Sequence, residues 1–347
     1  MRKLLISLSI FIGVLFLSGC GSGTSNVVAP QNVMPVATVI KTEDGGGIWN
    51  AKIKMDDKKT IAGINVLSMA IDPNDQNIIY IGTDANGLFV TKDGAETWTQ
   101  VAFANKVYGL VFDSQNSNTI YASGVLNGRG KIYKRLAEDQ EWKEIYTEPS
   151  DGTIILSLAI DNKNPQILYA GTSAGVIIKT TDGGKTWINL KKANGPIIGI
   201  VFNSANDLNV FFGIFQQGVL ETTDGGTTIE DITKKISTTS VYTIVSDPYN
   251  PGILYIGTGG GIFRRSNDGT WSALNIIESS KLFPVRAIAV NPKNSKEIMY
   301  CSAKAIYKSI DNGETWSTFQ LETTKEISVL RYVQPDPAKI YAGLRSF

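Results

Sequence analysis

Apolar and polar positions alternate along this chain in short runs, spaced as in strands and not as in a helical stripe. Val66 to Ile71, Ile78 to Ile81, Leu88 to Thr91 and Thr97 to Phe103 are rich in Val, Ile, Tyr and Thr and are punctuated by Gly, Asn and Asp. Such runs predict four strands joined by tight turns. The group recurs about every 43 residues, seven times, with one aromatic per copy: Tyr80, Tyr121, Tyr169, Phe211, Tyr255, Tyr300 and Tyr341. Ahead of the first six aromatics an apolar run ends in Asp or Asn: Asp72, Asp113, Asp161, Asn203, Asp247 and Asn291. Self-similarity at this period marks a propeller or solenoid. Four strands in each of seven copies predict an all-β, seven-bladed β-propeller of four-stranded blades.

Two details support the ring. One position of the first strand is small in six copies (Ser68, Gly109, Ser157, Gly199, Thr243 and Ala287), as expected where sheets converge on an axis; Leu330 stands there in the seventh. The last copy has no room for its third and fourth strands, because only six residues follow Tyr341. Val36 to Lys41 and Ile48 to Ile53 are expected to complete the blade begun by Ile327 to Val333 and Lys339 to Ala342. Strands from both termini then close one sheet and leave no open ring end.

A second marker follows the third strand: Thr91-Lys92-Asp93-Gly94-Ala95-Glu96-Thr97-Trp98, repeated as Thr180 to Trp187 and Ser309 to Trp316, with near copies at Thr42 to Trp49 and Thr222 to Ile229. Its chemistry is that of a turn: glycine for positive φ, an Asp that bonds its own backbone, and a large apolar anchor in the next strand. The pattern resembles the Asp-box, or BNR repeat. That resemblance implies that Asp44, Asp93, Asp182, Asp224, Asp268 and Asp311, with Trp49, Trp98, Trp187 and Trp316, are turn and wedge residues. Ser266 to Trp271 is a shortened copy, and Ala137 replaces the Asp before Trp142.

At the N-terminus, Arg2 and Lys3 precede a 14-residue apolar stretch, Leu4 to Leu17. This has the layout of an export signal and is too short for an ordinary membrane span. Leu17-Ser18-Gly19-Cys20 resembles the lipobox of bacterial lipoproteins, which implies cleavage before Cys20 and lipidation of its thiol. Gly21 to Pro35 carries no charge and reads as a tether. The expected organisation is a signal peptide over 1–19, a lipidated cysteine and tether over 20–35, and the propeller over 36–347. The expected location is the bacterial cell envelope, outside the cytoplasm and held to a membrane by lipid.

Without residues 1–19 the chain has 31 basic and 32 acidic residues, a net charge of about −1. That balance does not point to nucleic acid. There is no histidine, which removes Ser-His-Asp, Cys-His and histidine-based metal chemistry; no metal, cofactor or catalytic residue is assigned. Cys301, in the predicted inner strand Met299-Tyr300-Cys301, reads as a small buried hydrophobe. Carboxylate chemistry remains open, since glycoside hydrolysis needs two acids roughly 5 to 10 Å apart. Glu148, Asp151, Glu230, Asp231, Glu278 and Glu326 are the loop acids available for it.

Propeller geometry directs attention to the face formed by loops joining strands two to three and four to one. Lys106, Tyr108, Arg129, Lys281, Phe283 and Arg286 are the candidate binding residues there, mixing cations and aromatics as interface hot spots do. The ring resembles the single-domain bacterial relatives of the photosystem II assembly factor family, and shares its repeat grammar with sortilin-type receptors and BNR glycosidases. This resemblance implies a non-enzymatic, envelope-anchored propeller that binds a protein or an extracellular polymer as scaffold or assembly factor. The alternative is a carbohydrate-active, glycoside hydrolase-like or glycan-binding propeller that uses loop carboxylates. A third reading is substrate capture for a transporter or secretion system.

Overall fold

A computed structural model describes residues 32–33, 36–104, 106–136, 141–203, 205–236, 240–277 and 282–347. Seven antiparallel sheets follow one another along the chain, each running from a first strand outward to a fourth. Blade one consists of Val66–Ile71, Ile79–Thr83, Leu88–Thr91 and Thr99–Val101. Apart from a single 3₁₀ turn at Thr233–Lys235, the described regular structure is β.

The ring closes as the sequence leads one to expect. Glu326–Tyr332 and Ile340–Arg345 supply the inner half of blade seven, and Val39–Thr42 and Asn50–Ala51 supply the outer half. The joint is an antiparallel ladder pairing Val39 with Gly343 and Lys41 with Tyr341. Asn32–Val33, within the segment read as tether, also pairs with the ring, lying parallel to Leu321 and Glu322 at the outer edge of blade six.

Register explains why an aromatic recurs. The marker tyrosine of one blade reaches the aspartate turn of the next: Tyr169 donates to the carbonyl of Gly225 at 2.7 Å, and Tyr341 to that of Gly94 at 3.0 Å. These two bonds fasten blade three to blade four and blade seven to blade one, adding polar specificity to the apolar contact between sheets. Blade six departs from the expected marker. There Ile298 pairs with Ser309 and Met299 with Lys308, one residue earlier than in the other blades. Met299, not Tyr300, occupies the marker position, and its methyl group lies against Gly46 of blade seven. Tyr300 instead stacks on Tyr307, with ring centroids 4.5 Å apart.

The small position of blade seven also differs from the sequence reading. Val329 pairs with Gly343 as Ser68 pairs with Gly82, so Val329 and not Leu330 fills that column. On the partner strand Cys301 stands in the column of Gly82 and Gly171. It is buried, and burial pushes its thiol well above the ordinary range, consistent with a packing role and an unreactive sulfur.

Candidate functional site

The five full aspartate turns are built alike. In the turn at Thr180, the threonine hydroxyl donates to Asp182 Oδ1 at 2.7 Å and accepts from the backbone N–H of Gly184 at 3.0 Å. Asp182 then accepts the N–H of Thr186 at 2.9 Å and its hydroxyl at 2.6 Å. The same pattern recurs at Asp93, Asp224 and Asp311, while Asp44 accepts from the Gly47 and Ile48 N–H groups. Two consecutive residues have positive φ in each turn, and Ala95 and Asn312 adopt it where other copies use glycine. Asp268 is bonded differently, to Thr270 two residues on.

These bonds stabilise the charged carboxylates. Asp224 and Asp311 are drawn down to about 2, chiefly by Thr228 and Thr315, and Asp182 lower still by Thr186. Groups so committed are poor proton donors or acceptors near neutral pH. The tryptophans turn toward the preceding blade: Trp98 Nε1 donates to the Lys52 carbonyl at 3.0 Å and Trp316 Nε1 to that of Asn275 at 2.8 Å. Trp49 is buried among Ala287, Met299 and Leu321 of blade six, and Trp187 lies against Tyr146 of blade two.

The accessible chemistry lies on the axis. Six first strands carry a β-bulge directly before the small position, and a bulge re-aims the side chain of its extra residue. Leu67, Tyr108, Leu156, Ile198, Tyr242 and Ser328 are those residues. With Arg286, at the matching place in blade six, they ring a cavity of about 240 Å³ at the upper mouth of the central channel. Phe215, Arg345 and Phe347 complete its wall. Arg286 bonds Glu326 at 3.1 Å, lies 3.9 Å from the Phe347 ring centroid and 5.4 Å from that of Tyr242. Phe215 meets Tyr242 edge-on at 5.4 Å. The result is a surface of aromatic faces interleaved with guanidinium groups, a combination that offers both stacking and hydrogen bonding.

Two of the expected binding residues, Tyr108 and Arg286, meet at this mouth. Lys106 is exposed at a strand start, Arg129 is ion-paired with Asp151 at 2.5 Å, and Phe283 is largely exposed; none of the three lines the channel. Lys281, Glu278 and Cys20 lie outside the described residues. Tyr242, Phe215, Arg345 and Phe347 were not singled out by sequence reasoning. The usable signal was the residue preceding each small position, as in Val107-Tyr108-Gly109 and Val241-Tyr242-Thr243.

The described loop acids do not converge. Glu148 is buried and accepts from Tyr146, Asp151 and Glu326 are ion-paired, Asp231 caps Thr233, and Glu230 sits on an outer strand. No Asp or Glu among the described residues lines the channel or its upper mouth. Among the described residues no three His, Cys, Asp or Glu side chains are grouped as metal ligands.

Fold and site together define a seven-bladed propeller with an aromatic and cationic axial mouth. No family model matches the chain. Among curated proteins it is similar to xyloglucanase Xgh74A of Acetivibrio thermocellus, 25% identical over 244 residues, covering 45% of this chain and 29% of that protein. A xyloglucanase of Paenibacillus sp is 25% identical over 262 residues, covering 72% of this chain and 20% of that protein. The chain thus spans less than a third of the length of either relative. Among solved structures, the GH74 enzyme of Niastella koreensis aligns with a TM-score of 0.66 at 17% identity, covering 81% of this chain and 51% of that one. YCF48 bound to D1 peptide aligns with a TM-score of 0.61 at 17% identity, covering 84% and 99%. These likenesses establish the shared propeller fold.

Proposed function

We propose that this chain is a carbohydrate-active propeller that binds a polysaccharide of the xyloglucan class at the upper mouth of its channel, and that lipid on Cys20 holds it to the cell envelope. The observation that carries the reading is the sequence similarity of the ring to xyloglucanases. The mouth suits such a ligand. Tyr108, Tyr242, Phe215 and Phe347 offer faces for the apolar sides of sugar rings, while Arg286, Arg345 and Ser328 offer donors for hydroxyls. Recognition without cleavage is the form proposed, because hydrolysis by the usual route needs two carboxylates flanking the bond, and among the described residues none lines this mouth, where Glu326 is committed to Arg286.

Native gel electrophoresis with soluble xyloglucan in the matrix tests the proposal. Retardation of the domain from Val36 onward, weakened by Tyr242→Ala and by Tyr108→Ala, is the supporting result. Unchanged mobility in xyloglucan, together with reproducible capture of one protein from envelope extracts, would favour the scaffold reading. Release of reducing sugar from xyloglucan would show that the chain also cleaves.

A further inference from the structure

The lower half of the channel breaks the repeat at one residue. The first-strand position that pairs with the marker column carries Ala70, Val111, Ala159, Val201, Val245 and Ala289 in six blades, and Arg331 in blade seven. Six small apolar residues at equivalent places show that the architecture does not require a cation there. Arg331 Nη1 donates to the carbonyl of its own neighbour Leu330 at 2.9 Å. Among the described residues no carboxylate lies within ion-pairing distance of it.

The guanidinium lines the axial cavity of about 430 Å³ and two grooves that open from it on the face of the aspartate turns. It is open to channel water yet enclosed by the ring, and burial draws its pKa below the ordinary guanidinium value. It nevertheless stays charged at neutral pH. The other cation of the channel, Arg286, is at the opposite end and is offset by Glu326. The larger groove, of about 420 Å³, places Leu110 and Phe112 beside Ser114, Asn162 and Gln334. Asp72 borders the same groove, with Oδ1 committed to the N–H groups of Asn74 and Asp75. A cation in a concave channel with low-dielectric walls focuses its field on anions, and the planar guanidinium fork fits a carboxylate with two parallel bonds.

We infer that the lower mouth is a binding site for a small organic carboxylate, with Arg331 as its anchor and the flanking apolar and amide side chains accommodating the rest of the molecule. This site lies at the other end of the channel from the polysaccharide mouth, and its test is independent of that reading.

The test is a thermal-shift titration of the soluble domain with sodium acetate and sodium glucuronate at pH 7 and constant ionic strength, with sodium chloride as reference. A saturable rise in Tm with either carboxylate, absent with chloride, is expected. Arg331→Ala restores the residue that blades one, three and six already carry, so the ring should accept it. Loss of one or two charge-assisted bonds should weaken binding by about tenfold or more. Arg331→Gln, which keeps bulk and polarity, serves if the alanine variant folds poorly. Equal carboxylate titrations in a folded variant and the parent, or an equal response to chloride, would overturn the inference. Retardation by xyloglucan should be the same in parent and Arg331→Ala, which separates a failure here from a failure of the proposed function.

Discussion

At the residue scale, the recurring aspartates are accounted for by their own turns, and their chemistry predicts how the protein meets acid. Asp224 and Asp311 titrate near 2 in the folded chain against about 3.9 when unfolded. Their folded pKa is depressed, so their stabilisation is fully present above about pH 4 and is lost as pH falls through about 2. Asp224→Asn is therefore expected to lower Tm at pH 7, with the gap to the parent closing toward pH 2; melts across that range check it. A constant gap would mean that the carboxylate charge contributes nothing. Cys20 yields a second expectation, since acyl chains on its sulfur would hold the protein at a membrane. Cys20→Ser should move the expressed protein from the detergent phase to the aqueous phase in Triton X-114 partition.

At the scale of elements, blades are held together by apolar wedges, and two of the joints add a tyrosine bond, from Tyr169 to Gly225 and from Tyr341 to Gly94; the wedge can be tested alone. Trp98 is buried and its indole bonds Lys52 of the blade shared by both ends of the chain. Trp98→Ala should cost roughly 3–5 kcal/mol, as large-to-small core changes do, measured by equilibrium urea unfolding. Much of this architecture was legible in the sequence, because turns such as Thr180 to Trp187 are local and encode their own hydrogen bonds. What escaped depends on register. Met299 and Tyr300 are adjacent, and sequence spacing alone favours the aromatic, whereas the ladder to Ser309 and Lys308 selects the methionine. The bulges hid the axial mouth for the same reason. Tyr108 was singled out among loop residues, but the equivalence of Leu67, Leu156, Ile198 and Tyr242 emerges only once strand pairing shows an extra residue at each position.

At the scale of the whole molecule, strands from both ends of the chain share one sheet and close seven similar sheets into a ring, and the axis collects what the repeats do not share. Along that axis the described residues present aromatics and arginines above, a lone arginine below, and no carboxylate in the central cavity. Ring closure should make unfolding depend on the joint: Ile40→Pro removes a ladder donor opposite Ala342 and is expected to lower the urea midpoint and expose the chain to protease near both ends. The most direct test of function is isothermal titration of xyloglucan oligosaccharides into the parent domain and into Tyr108→Ala/Tyr242→Ala. Saturable binding to the parent, lost or weakened by about tenfold or more in the double variant, is expected. Absence of binding to the folded parent, or equal affinity in both proteins, would contradict a polysaccharide site at the upper mouth.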